Sequence, residues 1–377
     1  MKECSMIYVG MDVHKTEHRV CMIFTDSGER RECTVVNTER EINRFLRRLK
    51  EENAGEVRVC YEAGPCGFEL QRLVEKAGVR CEVIAPSLIP VKPGDRVKTD
   101  RRDARRLAEY YRQGLLTPVH PPTVAEEAVR DLCRCREAAK RTQRRARQHL
   151  EKYLLRYGLV YTAGSHWTQR HWSWLRQQRL KDAVAQYTLE DYRTEVERCG
   201  ERVETLEQEL SRIAQTEPYR EAVGWLRCFR GIDTVTAVTV VSELYGFERF
   251  TDPNQLMAFL GLTPSESSSG GTQRKGGITK TGNGHVRRAL VEAAWHQRHG
   301  VRVSKGLKQR RQGQPAWVIA MADKAMRRLH KRFQRLTQQG KPLNVTVTAV
   351  ARELAGFIWA ALYAGTERTD AAAGSPT

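Results

Sequence analysis

The stretch IYVGMDVHK at residues 7–15 decides the fold of the first third of the chain. Its apolar residues form a short β-strand that ends close to Asp12. Two further strand-like runs follow at 19–24 and 32–36, and helical patterns then alternate with strands up to residue 114. The predicted order is β-β-β-α-β-α-β-α. Three antiparallel strands followed by βαβ crossovers predict a mixed sheet covered by helices.

The chain is strongly basic and has no stretch that suits a membrane span or a secretion signal. It contains 377 residues, with 64 Lys+Arg against 45 Asp+Glu and a formal net charge of +19. Such an excess favours a phosphate backbone as partner, because each neutralised phosphate releases counterions. No run approaches the roughly 18 to 20 apolar residues that cross a bilayer, and the N-terminus lacks the apolar core of a signal peptide. We therefore expect a cytoplasmic, nucleic-acid-binding protein of two or three domains without a membrane partner.

The ten cysteines are scattered along the chain and include no Cys-x-x-Cys pair. Such spacing does not suit a zinc site, and a reducing cytosol does not favour disulfides. We expect all ten to be thiols, most of them small core residues.

An arginine-rich helix is predicted from about 123 to 158. Its basic residues occupy more than one face, and few acids balance them. Nucleic-acid contact is therefore the favoured interpretation, and a solvated charged face is the alternative. The residues expected to make this contact are Arg134, Arg141, Arg144 and Arg145.

A heptad pattern follows the arginine-rich helix. Apolar residues alternate three and four apart from Leu189 to Ile213, with acidic and basic residues between them, which is typical of a coiled-coil seam. Gly200 interrupts the pattern. Self-association through this seam is the favoured interpretation, and an intramolecular helical hairpin is the alternative.

Two glycine-containing segments stand out in the second half of the chain. Gly231 centres a turn between two short helical runs, which could present backbone N–H groups to a phosphate or belong to an ordinary helix-turn-helix core. Residues 264–284 form a long polar loop rich in serine, glycine and lysine. A loop of this length is either functional or disordered. Helices are predicted at 286–295, 317–329 and 345–363.

Four carboxylates stand where strands end or a helix begins: Asp12, Glu62, Asp100 and Asp103. The strand that ends at Glu62 can lie beside the first strand, and two acids three apart at a helix start project to the same side. Together the four would repel one another unless cations lie between them. Oxygen ligands suit Mg²⁺ or Mn²⁺, and a metal pair stabilises the attacking and leaving oxygens of phosphodiester cleavage. Taken singly, each acid is explained as a helix cap, a strand end or the partner of an arginine.

Several motifs together resemble one known family. The segments GMDVHK at 10–15 and KTDRRDA at 98–104 are similar to those of the DEDD insertion-sequence transposases, described as bridge-RNA-guided recombinases. The segments FLGLTP at 259–264, SSGG at 268–271 and GITKTGN at 277–283 resemble that family's C-terminal transposase domain. The resemblance covers nearly the whole chain in the right order.

The resemblance implies a fold and a division into domains. It implies an α/β RNase H-like, RuvC-type mixed-sheet domain with a DEDD cluster at 1–122. An arginine-rich helical and coiled-coil segment for linkage and oligomerisation is expected at 123–218. A mainly α-helical C-terminal domain is expected at 219–365, followed by a disordered tail at 366–377.

The resemblance also implies a nucleophilic serine immediately before a glycine, which Ser269 matches. Ser268 lies one residue away and is the alternative nucleophile. A serine hydroxyl can attack a phosphodiester and conserve the bond energy as a phosphoserine ester. Basic residues near the two presumed sites are expected to contact nucleic acid and to neutralise the transition state: Lys15, Arg101, Arg102, Arg274, Lys275, Lys280, Arg287 and Arg288. His14 and His285 are interpreted as phosphate contacts or structural hydrogen-bonding groups rather than catalysts.

The partners implied by the resemblance are donor and target double-stranded DNA and a structured bridge RNA. The family places its acidic cluster and its serine in one composite site supplied by different subunits, which implies a homo-oligomer, a dimer or a tetramer. The expected location is the nucleoid of a bacterial or archaeal cell.

Three functions are weighed. The first is a transposase that cuts and rejoins strands through Ser269 with help from Mg²⁺ at the acidic cluster. The second is a RuvC-like junction endonuclease, in which metal-activated water cuts and the C-terminal domain only binds DNA. The third is a non-catalytic nucleic-acid-binding protein, against which the intact acids and the intact serine loop argue.

Overall fold

The computed structural model describes residues 6–52, 55–90, 99–269 and 272–373. The side chains at 268–269, 272–273, 275 and 369–373 are outside that description. The chain divides into two compact units, Met1–Pro121 and Pro122–Thr377. The helical segment expected at 123–218 packs as part of the second unit.

The first unit contains the predicted mixed sheet, with strand order β3-β2-β1-β4-β5-β6. Strands β1 to β3 are antiparallel, β4 is parallel to β1, β5 is parallel to β4, and β6 is antiparallel to β5. This arrangement is consistent with an RNase H-like domain. The short β6 was not predicted, because two residues show no alternation. The strands are β1 Met6–Val13, β2 Glu17–Phe24, β3 Arg30–Val36, β4 Glu56–Glu62, β5 Arg80–Ile84 and β6 Pro118–Val119.

Helices cover both faces of this sheet. Helices α1 (Glu39–Glu51) and α2 (Glu69–Lys76) pack on the face that carries Met11 and Tyr61. Helix α3 (Asp100–Arg112) packs on the opposite face, where its residues contact β1, β2 and β4. Successive strand residues point to opposite faces. Asp12, which follows Met11 in β1, therefore lies on the face that α3 covers.

Gly10 brings the backbone of α3 directly onto β1. A Cβ atom at this position would overlap the backbone of Ala104 and of Ala108. Only glycine allows so close an approach of two backbones. The position of α3, and with it the position of the acids at its start, depends on this contact.

Gly10→Ala is expected to destabilise the first unit by about 3 kcal/mol, because α3 must move away from β1 to admit the methyl group. Urea unfolding followed by circular dichroism measures the change. Gly64→Ala is the matched control, since the nearest atom to its added Cβ is a carbonyl oxygen at 3.8 Å. Equal stabilities of the two variants would contradict the proposed contact.

The second unit is mainly helical, with one β-hairpin. Its helices surround a large apolar core, a second and smaller apolar cluster lies between three of them, and the hairpin precedes the helix that begins at Gly284. The helices are α4 Val124–Arg156, α5 Gln169–Gln177, α6 Ala183–Ile213, α7 Tyr219–Arg227, α8 Thr234–Glu243, α9 Pro253–Phe259, α10 Gly284–Trp295, α11 Lys305–Arg311, α12 Ala316–Gln338 and α13 Leu343–Ala373.

The heptad seam of α6 packs within the chain. Leu189 and Val196 of α6 share a buried cluster with Leu150 and Leu154 of α4, so the two helices form an antiparallel pair. The favoured interpretation, self-association through this seam, is therefore wrong for the buried seam residues, and the intramolecular hairpin is what forms. A heptad pattern indicates a helical partner without saying whether that partner is in the same chain. An oligomer would need another surface.

Helix α13 is the core helix of the second unit. From Leu343 to Arg368 it is long and apolar enough to cross a membrane by length and composition. Its apolar face, however, is buried against the other helices of the unit, with Val347, Leu354 and Ile358 fully covered. This burial accounts for its composition without a bilayer.

Two predicted irregular segments are ordered instead. The polar loop of 264–284 contains a β-hairpin, β7 Pro264–Ser269 and β8 Thr272–Ile278, in which Ser269 pairs with Thr272. Serine and glycine have low strand propensity, and the pairing of the two backbones outweighs it. The disordered tail expected at 366–377 is helical as far as Ala373, and only 374–377 lie outside the described residues.

The nine cysteines that the structure describes are free thiols, as predicted. Cys21, Cys60 and Cys81 are buried in the first unit. Burial raises the pKa of the Cys21 thiol to about 11. These cysteines therefore stay protonated and act as small core residues.

The arginine-rich helix α4 is better balanced than its sequence indicates. Arg134 makes a two-pronged ion pair with the buried Glu243 of α8, at 2.7 and 3.0 Å. Arg136 pairs with Glu207 of α6. The expectation of few balancing acids is wrong, because these acids come from distant parts of the chain. Arg144 and Arg145 are exposed and make no ion pair with any described residue.

Arg134→Ala is expected to cost about 2 kcal/mol of stability, because it leaves the carboxylate of Glu243 buried with Asn283 as its one remaining hydrogen-bond donor among the described residues. Arg144→Ala, on the same helix, is expected to change the stability by less than about 0.5 kcal/mol. Thermal denaturation of both variants measures the difference. A similar small effect in both would show that the pair does not support the packing of α4 on α8.

Candidate active site

Two strand ends bring Asp12 and Glu62 to one edge of the sheet. Met11 of β1 lies opposite Tyr61 of β4 in the parallel register. Both of these side chains are buried beneath α1 and α2. Because side chains alternate along a strand, Asp12 and Glu62 project to the other face, which α3 covers. Glu62 is exposed there.

The start of α3 supplies the other two acids. The Thr99 side chain accepts a hydrogen bond from the backbone N–H of Arg102 and so fixes where the helix begins. Asp100 is the first helical residue, and its side chain is 61% exposed. Asp103 lies one turn further and is buried, where it accepts a hydrogen bond of 2.8 Å from Arg106. The two predicted helix-start acids therefore differ in accessibility.

Asp12, Asp100 and His14 meet in one cluster. The Nε2 atom of His14 lies 3.1 Å from Oδ2 of Asp12 and 3.3 Å from Oδ2 of Asp100. The potential ligand atoms of these three residues all lie within 4.8 Å of one another. Asp103 lies one turn further along α3 and Glu62 ends the neighbouring strand β4, and neither is a member of this group. The structure thus brings together two of the four predicted acids with a histidine.

The electrostatics of the cluster favour a cation. Burial raises the pKa of Asp12 above its usual range; His14 opposes the change, and the carboxylates of Asp100 and Asp103 add to it. Like charges at this distance disfavour full ionisation unless a positive group lies between them. A metal ion bound between the carboxylates would be such a group.

The donor set fits a divalent metal. Asp12 and Asp100 offer carboxylate oxygens, which suit Mg²⁺ and Mn²⁺, and the imidazole of His14 adds a nitrogen ligand. Asp100 and His14 are both substantially exposed, so positions around a bound ion remain open to a substrate. Open coordination positions are what metal-assisted phosphodiester cleavage requires.

Sequence reasoning assigned His14 no place in the metal site. A simple signal could have found it, because His14 follows Asp12 by two residues and so lies on the same side of an extended segment. The predicted metal ligands were limited to acids, and this restriction excluded it.

The three residues of the first unit that were predicted to contact nucleic acid differ in their surroundings. Lys15 is exposed next to the cluster. Arg101 is exposed but forms an ion pair with Glu32 of β3, which also binds Arg105. Arg102 is exposed on the first turn of α3. Lys15 is therefore better placed than Arg101 to contact a phosphate, and contact by Arg102 stays a prediction.

The serine hairpin lies in the second unit. The backbone of Ser269 ends β7, while its side chain and those of Ser268 and Lys275 lie outside the described residues. Arg274 on β8 and Lys280 after it are exposed. Lys280 also has a left-handed backbone, with φ of 57°. The hairpin thus presents basic side chains to solvent close in sequence to the two candidate serines.

The basic residues at the start of α10 are engaged within the protein. Arg287 donates hydrogen bonds to the carbonyls of Leu260 and Thr281, at 2.8 and 3.1 Å, and so holds the segment that follows the hairpin. Arg288 and His285 both bind Glu137 of α4, His285 at 2.6 Å. Although burial opposes it, hydrogen bonds from Arg288 and His285 hold the pKa of Glu137 below its usual range. Arg287 thus holds the segments next to the hairpin, and Arg288 and His285 tie α10 to α4. Direct contact of these residues with nucleic acid stays a prediction.

Comparison with known proteins identifies the family of the chain. Residues 9–158 match the DEDD transposase family of IS110 type, and residues 225–309 match the family described as "Transposase IS116/IS110/IS902 family". The chain is 36% identical to the transposase for insertion sequence element IS1533 of Leptospira borgpetersenii, over 89% of this chain and 98% of that protein. It is also 40% identical to y4qE of Sinorhizobium fredii, a protein named as a candidate transposase. This match covers 94% of this chain and 87% of that protein. The chain therefore belongs to the IS110/IS116 family of transposases, metal-dependent enzymes that cleave DNA strands and transfer them.

Proposed function

We propose that this transposase cuts and rejoins donor and target DNA through a phosphoserine intermediate at Ser269, with divalent metal held at the acidic cluster. The observation that carries the proposal is the meeting of Asp12, His14 and Asp100 within 4.8 Å at the open end of the sheet. A cluster of this kind on an otherwise strongly basic chain suits a metal that acts on a polyanion.

The serine step conserves the energy of the cleaved bond. The Oγ atom of Ser269 attacks the phosphorus of a phosphodiester, and a new P–O bond to serine forms. The bond from phosphorus to the leaving deoxyribose oxygen breaks, that oxygen takes up a proton, and the serine proton passes to solvent or a neighbouring base. A hydroxyl of the other DNA strand then attacks the phosphoserine and releases Ser269. The two steps together exchange strands without an external energy source.

In this proposal the residues of the acidic cluster bind the metal ion and orient it toward the DNA phosphate. Asp12 and Asp100 would hold the metal, Mg²⁺ in the first instance and Mn²⁺ as an alternative, with Glu62 and Asp103 as the remaining members of the proposed DEDD set. When bound, the ion stabilises the negative charge that develops on the phosphate oxygens. Arg106 fixes Asp103 through its 2.8 Å hydrogen bond. Lys15 and Arg102 would attract the phosphate backbone of the DNA.

A structured RNA and a second subunit belong to the same proposal. The exposed arginines of α4, Arg141, Arg144 and Arg145, offer a surface for an RNA backbone. The acidic cluster and the serine hairpin belong to different compact units. A composite site built from the acids of one subunit and the serine of another would require an oligomer. Donor and target choice would then be made by base pairing with the RNA.

The test is a strand-transfer assay with purified protein, RNA co-purified from its native element, and labelled donor and target DNA. The proposal predicts joined products and a protein–DNA adduct that survives denaturation, both dependent on Mg²⁺ and lost with EDTA. Nicked DNA with no adduct and no joined product would instead favour the junction endonuclease, in which water is the nucleophile.

A further inference from the structure

A basic cavity of about 760 Å³ lies in the second unit, and none of its lining residues belongs to the serine hairpin. Three parts of the chain form it: the turn at Gly231, the segment 296–302 after α10, and helix α11. Arg230, Arg302 and Arg310 line it together with His296 and His299. Asp233 is the one acid among its lining residues. The cavity therefore carries a clear excess of positive charge.

The walls of the cavity are held in place by the protein itself. Gly231 has a left-handed backbone, with φ of 85°, and a Cβ atom there would overlap the carbonyl oxygen of Ala293. Arg230 donates hydrogen bonds to the carbonyl oxygens of His299 and Gly300, both at 2.9 Å. Arg230 is therefore a positioning residue that ties the 299–300 segment to the turn.

Other side chains in the cavity have hydrogen-bond donors that are available to a ligand. Arg310 uses its Nε atom to bind the carbonyl of Arg227 at 3.1 Å, and its terminal nitrogens have no hydrogen-bond partner among the described residues. Arg302 is exposed at the rim. The carboxylate of Asp233 accepts a hydrogen bond of 2.8 Å from the backbone of Thr236, so its position is fixed by the cap of α8.

The field inside the cavity is positive. Burial lowers the pKa of His296, and the charges of His299, Arg298, Arg230 and Arg310 lower it further. Burial likewise lowers the pKa of Arg310, with Asp233 acting in the opposite direction. Cationic groups that disfavour one another in this way are stabilised when an anion enters.

We propose that this cavity binds a phosphodiester phosphate of a nucleic-acid strand. Guanidinium groups match the oxygen pairs of phosphate, and a cavity of this size admits more than one phosphate of a continuous backbone. An open cavity with arginine on its rim suits a chain that passes through it better than a small enclosed anion. The proposal rests on the action of the family on DNA and is independent of the serine chemistry.

The experiment compares the binding of the full-length protein to a short duplex DNA and to a single-stranded RNA, by fluorescence anisotropy over a range of salt concentrations. Arg302→Gln/Arg310→Gln is expected to weaken binding about tenfold, and to lower the slope of log K against log salt by about 1 to 2. Arg302→Gln alone, at an exposed position, is expected to lower the slope by about 1. The matched control is Arg335→Gln/Lys341→Gln, which removes two exposed charges of the same unit outside the cavity.

The two ligands distinguish the source of the phosphate. A smaller slope with duplex DNA alone identifies a DNA backbone, a smaller slope with RNA alone identifies an RNA backbone, and either result supports the site. Unchanged slopes for both ligands, or an equal change in the control, would overturn it. Circular dichroism melts of each variant exclude unfolding as the cause. A negative result in this binding experiment would not change the result of the adduct assay, so each of the two proposals can be rejected independently of the other.

Discussion

Asp12→Asn is expected to lower the rate of DNA strand cleavage on the order of 10³-fold at saturating Mg²⁺. The substitution keeps the size of the side chain and removes one negative oxygen from the cluster with His14 and Asp100. A metal held by fewer charges binds more weakly and stabilises less charge on the scissile phosphate. Because Asp12 is already destabilised as an anion by burial, its neutral replacement should leave the fold intact.

Cleavage is measured with labelled donor DNA under single-turnover conditions, and Mn²⁺ binding by equilibrium dialysis gives an independent readout. Asp26→Asn, on the exposed turn between β2 and β3, removes the same charge from the same unit and serves as the control. If Asp12→Asn cleaves and binds Mn²⁺ like the wild type, the cluster is not the metal site.

Ser269→Ala is expected to abolish the covalent protein–DNA adduct and to reduce strand transfer on the order of 10⁴-fold or more. Alanine lacks the oxygen that attacks phosphorus, and nothing else in the proposed mechanism forms a bond to DNA. The fold should tolerate the change, since the position ends a two-stranded hairpin whose backbone pairing does not need the hydroxyl.

Ser268→Ala is the natural control, because it removes the same group one residue earlier. Neighbouring residues of a strand face opposite sides, so only one of the two hydroxyls can face a given phosphate. Retention of the adduct in Ser268→Ala together with its loss in Ser269→Ala assigns the nucleophile. The reverse result would move the role to Ser268, and retention of the adduct in both variants would exclude both serines as the nucleophile.

The sheet and its acids could be predicted because both follow local rules. Strand alternation located β1 and β4, and the crossover rule placed Glu62 beside Asp12. The helix start at Asp100 was also predicted, and the structure shows that Thr99 caps it. His14 was not predicted as a metal ligand, although its spacing of two residues from Asp12 places it on the same side of the strand. Its contact with Asp100 joins distant parts of the chain, and no local rule indicates such a contact.

The second unit was harder to predict because its decisive contacts join distant residues. Glu243 balances Arg134 across 109 positions, and Glu207 balances Arg136 across 71. A charge count within one helix does not include such partners. The heptad of α6 specified an apolar seam but not its partner, which is α4 of the same chain. The hairpin at 264–278 was hidden by its serine and glycine content, since strand pairing outweighs low propensity.

The central claim is that Ser269 becomes covalently attached to DNA in a metal-dependent step. The most direct test is tandem mass spectrometry of the proteolysed adduct, trapped from wild-type protein with Mg²⁺ and labelled DNA. The account predicts a nucleotide phosphate on Ser269, absent when EDTA is present. Full strand transfer with no nucleotide on any serine of 265–269 would contradict it.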